Sequence, residues 1–234
     1  MRLDKLICHA TALTRSDCGK VIRQGRVQVH GQVVRQAAAQ VGESDPILLD
    51  GEPVRYFASI YLMLHKPADY ICSHEGGGYP TVFSLLPPEL RQVKELNIAG
   101  RLDKDVTGLV LLANDGQWLH RVTSPRVGKE KHYRVETALP LSAEDGAAFA
   151  AGMLLEGEEK ATKSARLVPL GERIADLYLG EGRYHQVKRM FAARGNSVVK
   201  LHRLAAAGIL LDPELAEGGW RPLTPAEIAS VGQE

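Results

Sequence analysis

Between Gly100 and Gly116 the sequence reads GRLDKDVTGLVLLANDG, which sets one aspartate, Asp103, among cations and just ahead of a strand-like apolar run. A carboxylate held beside Arg101 and Lys104 at the mouth of a strand stays ionised and can serve as nucleophile or base. The same residues would also make a surface turn in which Asp103 does no more than pair with a neighbouring cation. Further along, EKHYRV contains Tyr133, whose ring offers a flat apolar face and a hydrogen-bonding tip; packing one face of a strand is its other use. EGRYHQVKRMF carries His185, but no His or Cys partner lies at ligand spacing, so the expectation is a polar structural or nucleic-acid contact rather than a metal site. Asp105 could be the second carboxylate of a glycosidase-like hydrolase, yet nothing else in the sequence supports that role.

Those residues need elements to hold them. Leu3, Leu6 and Ile7 recur at helical spacing, and Thr14-Arg15-Ser16 starts a second helix with Val21 and Ile22 on one face. Val27 and Val29, the turn pair His30-Gly31, then Val33 and Val34 read as a tight hairpin, followed by a short strand at 46–49. The composition changes near Tyr56, so the chain divides into a module over 1–55, a linker at 56–60 and a larger domain over 61–234. In the larger domain, strands are expected at 61–64, 109–113, 133–137, 167–168 and 174–179. Helices are expected after Asn114-Asp115-Gly116 as far as Pro125, from Ser142 with a capping-box start, from Tyr184 to Arg194, and from Thr224 with proline at the first helical position. Strands with interspersed helices make the class α+β, with a largely antiparallel mixed sheet in the second domain.

The 234 residues are 44% hydrophobic and 24% charged, the composition of a globular protein with one or two domains. Three cysteines without paired ligand spacing argue against a disulfide framework or zinc site. No apolar run approaches the roughly 20 residues of a membrane helix, so a cytoplasmic protein without membrane attachment is expected. Net charge is only +1, but residues 1–35 hold seven cations against two anions, and residues 181–203 hold six against Glu181. Two basic stretches on a near-neutral chain suit a polyanion; solvated helix faces are the alternative.

The string GRLDxDxTGLxLLxxDG followed by EKxYRV resembles the core of the pseudouridine synthases, in the RsuA-type branch that acts on ribosomal RNA. TRSDCGKVIRQGRVQVHG resembles an S-four-type RNA-binding module. The resemblance extends over nearly the whole chain, through KPxxYxCS at Lys66 to the RPLTxxEI tail. It implies an isomerase whose partner is ribosomal RNA or an assembling small subunit; no ligand cluster in the sequence implies a metal or organic cofactor, and a monomer is expected. The implied target is the uridine conventionally numbered 516 of 16S ribosomal RNA. A sibling acting on 23S RNA and a non-catalytic RNA-binding assembly factor are the alternatives.

By the same resemblance Asp103 is the essential carboxylate, Tyr133 stacks on the base, and Lys188 pairs with Asp103. Lys188 stands where many relatives carry arginine, and the adjacent Arg189 would make that pairing if the helix were rotated slightly, so both are candidates. RNA contacts are expected from Arg2, Lys5, Arg15, Lys20, Arg23 and Arg26 in the first module. In the second they are expected from Lys66, Arg101, Lys131, Arg183, His185 and Arg189, with the KPxxYxCS motif that begins at Lys66 read mainly as packing behind the catalytic loop. Asp69 replaces a glycine frequent in relatives, which bears on the turn there, and the alanines after His202-Arg203 suggest a trimmed RNA contact.

Overall fold

The computed structural model describes all residues except 12, 55, 57–58, 125–129 and 232–234. They form two compact units, Met1–Ile60 with Leu86–Leu96, and Tyr61–Leu85 with Asn97–Glu234. The segment Leu86–Leu96, which sequence reading left in the second domain, groups with the first.

The first unit holds helices α1 (Leu3–Ala10) and α2 (Arg15–Arg23), strands β1 (Val27–Val29), β2 (Gln32–Val33), β3 (Ile47–Leu49) and β4 (Glu52–Pro53), and a short helix α3 (Pro88–Arg91). Leu3, Leu6 and Ile7 are all buried, as their spacing on one helical face requires. Burying each contributes roughly 1.5–3 kcal/mol. The Thr14 hydroxyl caps α2 by accepting the Asp17 N–H at 3.2 Å. His30 and Gly31 both take positive φ, 50° and 77°, which matches the twist of the β1–β2 hairpin. The sheet order is β2-β1-β3-β4, with every neighbouring pair antiparallel.

The second unit is built on a nine-stranded sheet. In chain order its elements are β5 (Tyr61–Lys66), β6 (Asn97–Ala99), β7 (Thr107–Ala113), α4 (Gly116–Thr123), β8 (Lys131–Thr137), α5 (Asp145–Ala151), β9 (Ala165–Pro169), β10 (Ile174–Leu179), α6 (Gln186–Ala192), β11 (Val198–Ala206), β12 (Ile209–Leu210), β13 (Trp220–Pro222) and α7 (Pro225–Ser230). The sheet runs β13-β5-β7-β11-β8-β10-β9, with β12 beside β11 and β6 beside β7. Among the described strands only the β7–β11 pair is parallel. Its β7 member is buried at every position after Thr107, the continuous apolar run of a strand covered on both faces. Gly108 makes the parallel approach possible: at φ +105°, a Cβ there would strike the Arg203 carbonyl and lie 2.6 Å from the Arg203 nitrogen.

Two local expectations change. Helix α6 begins at Gln186, because His185 is left-handed at φ 48° and Tyr184 precedes it in the loop. Ser142 does not cap α5; its N–H instead donates to Asp145 Oδ2 at 2.9 Å in the turn before the helix. Ala205, Ala206 and Ala207 are buried, and the last two pack with Leu109 and Leu111, Ala206 also lining the cleft described below. The capping box of α7 forms as expected, Thr224 accepting from Glu227 and Glu227 from Thr224. Pro125, expected to limit α4, lies outside the described residues. No described helix is long and apolar enough to cross a membrane.

Candidate active site

Asp103 lies in the connection between β6 and β7, and two buried cations fasten that connection. Arg203 on β11, 1% exposed, donates to the carbonyls of Gly100 at 2.9 Å, Arg101 at 3.5 Å and Leu109 at 2.7 Å. Lys66, at the end of β5 and wholly buried, donates from Nζ to the carbonyls of Pro67 and Lys104 at 3.0 Å each and of Val106 at 2.7 Å. A buried cation is tolerated only when its donors are satisfied; Arg203 is held by backbone on both sides of Asp103, and Lys66 by Pro67 and by backbone just after Asp103. Burial lowers the Lys66 pKa, with Cys72, Asp105 and Asp103 acting the other way. The Lys104 carbonyl also accepts the Asp69 N–H at 2.9 Å, with Asp69 at φ 67°. The turn therefore keeps a glycine-like left-handed geometry with aspartate in place. Leu102 and Val106, both buried, root the loop on its apolar side.

The Asp103 carboxylate faces a cleft of about 530 Å³, a volume within the range of small-molecule sites. Arg101, Lys131, Tyr133, His185, Lys188 and Arg203 also line it. His185 Nε2 stands 3.4 Å from Asp103 Oδ1, and Lys188 Nζ stands 3.6 Å from Oδ2. Lys188 is shared: its hydrogen bonds go to Asp105, at 2.7 and 2.8 Å. Burial alone would raise the Asp105 pKa, but the hydrogen bonds and charge of Lys188 outweigh it and hold the carboxyl below its ordinary value. Asp103 thus has one polar or cationic neighbour near each oxygen, neither in hydrogen-bonding contact with it, and a third of its side chain stays exposed to the cleft.

Tyr133, 8% exposed, sits on β8 opposite Leu177 on β10 and Arg203 on β11. Strand alternation puts Lys131 on the same face. Among the described residues Lys131 makes no ion pair, and burial together with the nearby Arg203 charge lowers its pKa against the pull of Glu181. The cleft therefore offers a carboxylate, a phenol on one wall and an unpaired amine.

A sequence profile of RNA pseudouridylate synthases matches residues 60–193, and one of the S4 domain matches residues 1–47. The chain belongs to the RNA pseudouridylate synthase family. Its relatives include proteins named ribosomal small subunit pseudouridine synthase A. The one from Pasteurella multocida is 49% identical, covering all of both chains. The one from Escherichia coli is 46% identical over 99% of this chain and all of its own. A crystal structure described as a pseudouridylate synthase superposes with a TM-score of 0.71 at 45% identity, covering 99% of each chain. Family membership makes the protein an isomerase.

For a pseudouridylate synthase the expected RNA-contacting cations divide into four groups, the last of them Arg183 and Arg189 on Glu158. Arg2, Lys5, Arg15, Lys20, Arg23 and Arg26 are all exposed; Arg2 pairs with Asp4, Lys20 with Asp17 and Arg26 with Asp50. Arg101, Lys131 and His185 line the cleft, and among the described residues Arg101 makes no ion pair. Lys66 is the correction: with no exposed surface and its amine engaged by three carbonyls, it cannot reach RNA and instead positions the Asp103 loop.

The basic stretch at 181–203 is also largely consumed. Glu158 pairs with both Arg183 and Arg189, Asp145 takes Arg194 and Glu136 takes Lys200. Arg189 points to Glu158 and to the Glu156 and Tyr184 carbonyls, so of the two candidates beside Asp103 it is Lys188 that the helix presents. Sequence reasoning passed over Arg203 as a site residue. The alternation Leu201, Arg203, Ala205 was its signal, an arginine in the inward register of a strand.

Proposed function

We propose that this chain converts a uridine of 16S ribosomal RNA, the one conventionally numbered 516, to pseudouridine in the cleft around Asp103. The observation that carries the reading is the Asp103 carboxylate, open to the cleft and 3.6 Å from Lys188, in a chain alike over its full length to enzymes named for the small subunit. The reaction breaks the bond from C1′ to N1 of uracil and forms one from C1′ to C5; the C5 proton is lost and N1 gains one, with no change of oxidation state. The target base must leave its stack to enter a cleft of this size. Asp103 supplies the carboxylate at the sugar or base, Lys188 places a positive charge 3.6 Å from it, and Tyr133 holds the detached ring by its face. The exposed cations of the first unit grip phosphates and fix register without reading bases.

Pseudouridine mapping by carbodiimide adduct and primer extension on unmodified 16S and 23S RNA, with wild-type protein and Asp103→Asn, tests the proposal. One Asp103-dependent stop in 16S RNA is expected. A stop in 23S RNA would move the target to the large subunit. No stop in either RNA, with RNA binding intact, would make the chain a non-catalytic binder and overturn the proposal.

A further inference from the structure

Tyr184 is 74% exposed, the most exposed of the large apolar and aromatic side chains described. It is not a loose surface residue. Its ring stacks on His185 with centroids 3.8 Å apart and planes 20° from parallel, and His185 reaches to 3.4 Å from Asp103. The two rings therefore form a ladder that starts at the candidate catalytic carboxylate and ends in solvent. His185 occupies one face of the tyrosine ring, and the exposure of Tyr184 leaves the other face open.

The backbone beneath the ladder is held on both sides. The Tyr184 carbonyl accepts from Arg189 at 3.2 Å. The preceding Arg183 binds the carbonyls of Lys160 and Ala161 at 2.7 and 2.6 Å and pairs with Glu158, while its own N–H donates to Gln186 Oε1 at 2.9 Å. His185 sits at φ 48°, a left-handed conformation that non-glycine residues adopt at a cost, which the surrounding hydrogen bonds sustain. Arg183 and Arg189 are both committed to Glu158, so neither guanidinium beside Tyr184 is free for a phosphate. It offers an ordered, open aromatic face.

An RNA that gives up one base to the cleft loses stacking on both sides of the gap, and the base next to the gap needs a new partner. We propose that Tyr184, backed by His185, is the stacking platform for the nucleobase adjacent to the flipped uridine. The inference rests on the proposed isomerisation and names a substrate-positioning residue for it. Because the platform is held in place before binding, little ordering entropy opposes its use.

The test compares wild type, Tyr184→Ala and Tyr184→Phe on a 16S RNA fragment spanning the mapped uridine, and on fragments abasic at the position immediately 5′ or 3′ of it. Isomerisation kinetics and fluorescence-anisotropy Kd are both read. Tyr184→Ala is expected to raise KM and Kd by roughly 5- to 150-fold, the range for loss of one base–aromatic stack, with most of the loss in KM rather than kcat. Tyr184→Phe, which keeps the ring, is expected to stay within about 3-fold of wild type on the same reasoning. On one of the two abasic fragments the penalty of Tyr184→Ala should vanish. An unchanged Kd in Tyr184→Ala, a loss in Tyr184→Phe equal to that in Tyr184→Ala, or a full penalty on both abasic fragments would each overturn the inference. If wild type forms no isomer, the functional reading fails, and the anisotropy arm still decides whether Tyr184 stacks on RNA.

Discussion

Lys66→Met removes one ammonium and keeps the buried stem nearly isosteric. The three carbonyls that lose their donor belong to Pro67, Lys104 and Val106, two of them within three residues of Asp103. A hydrogen bond from a charged donor contributes about 1.5–3 kcal/mol, and a buried acceptor left unmade costs about 1–3 kcal/mol. The variant also sheds the desolvation cost of a buried ammonium, which opposes that loss. A net destabilisation of about 2–4 kcal/mol is expected by urea unfolding. The larger effect should be on chemistry, because a shift of roughly 1 Å in the carboxylate can reduce rate about 100-fold. Single-turnover isomerisation should therefore slow by about two orders of magnitude, with the Kd for RNA within about 3-fold of wild type. A variant that folds and reacts like wild type but binds RNA weakly would refute the reasoning and restore Lys66 as an RNA contact.

Lys188→Met should slow isomerisation by roughly 100-fold or more, whereas Asp105→Asn should cost less than about 10-fold because Lys188 still faces Asp103; equal losses in single-turnover assays would show that Asp105 is what places Lys188. Gly108→Ala should destabilise the fold by about 2 kcal/mol or more through its positive φ and the Arg203 backbone, and a urea midpoint near that of wild type would contradict this. Hydrogen bonding to Arg221 holds Glu227 at about 2, well below its ordinary 4.5, despite a burial effect in the other direction. A depressed carboxylate contributes stability that is complete above the unfolded pKa and is lost as pH falls through the folded one. Up to about 3 kcal/mol should therefore disappear between pH 4.5 and pH 2. Glu227→Gln, unfolded by urea at a series of pH values, should show a flatter acid limb, and an unchanged slope would count against the Arg221 clamp.

Local pattern carried far where one residue type has one use. The apolar spacing of Leu3, Leu6 and Ile7, the His30-Gly31 turn, the Thr224 capping box and the run ahead of Ala113 each became the element they suggest. Strand β11 escaped because Arg203 occupies an inward position that alternation expects to be apolar. Helix α6 was read too long because a left-handed His185 leaves no mark in a sequence of good helix formers.

The sequence by itself determined the family and the α+β class and nominated the residues proposed to do the chemistry, because those depend on side-chain type and on periodicities within a few residues. Tertiary structure alone decided what each cation is for. Charge counted along a chain cannot distinguish an arginine awaiting phosphate from one closed on Glu158, or a lysine in solvent from Lys66 bound to three carbonyls. Those outcomes rest on partners distant in sequence, and ionic and hydrogen-bonding energies depend on distance and burial, which only the folded chain sets.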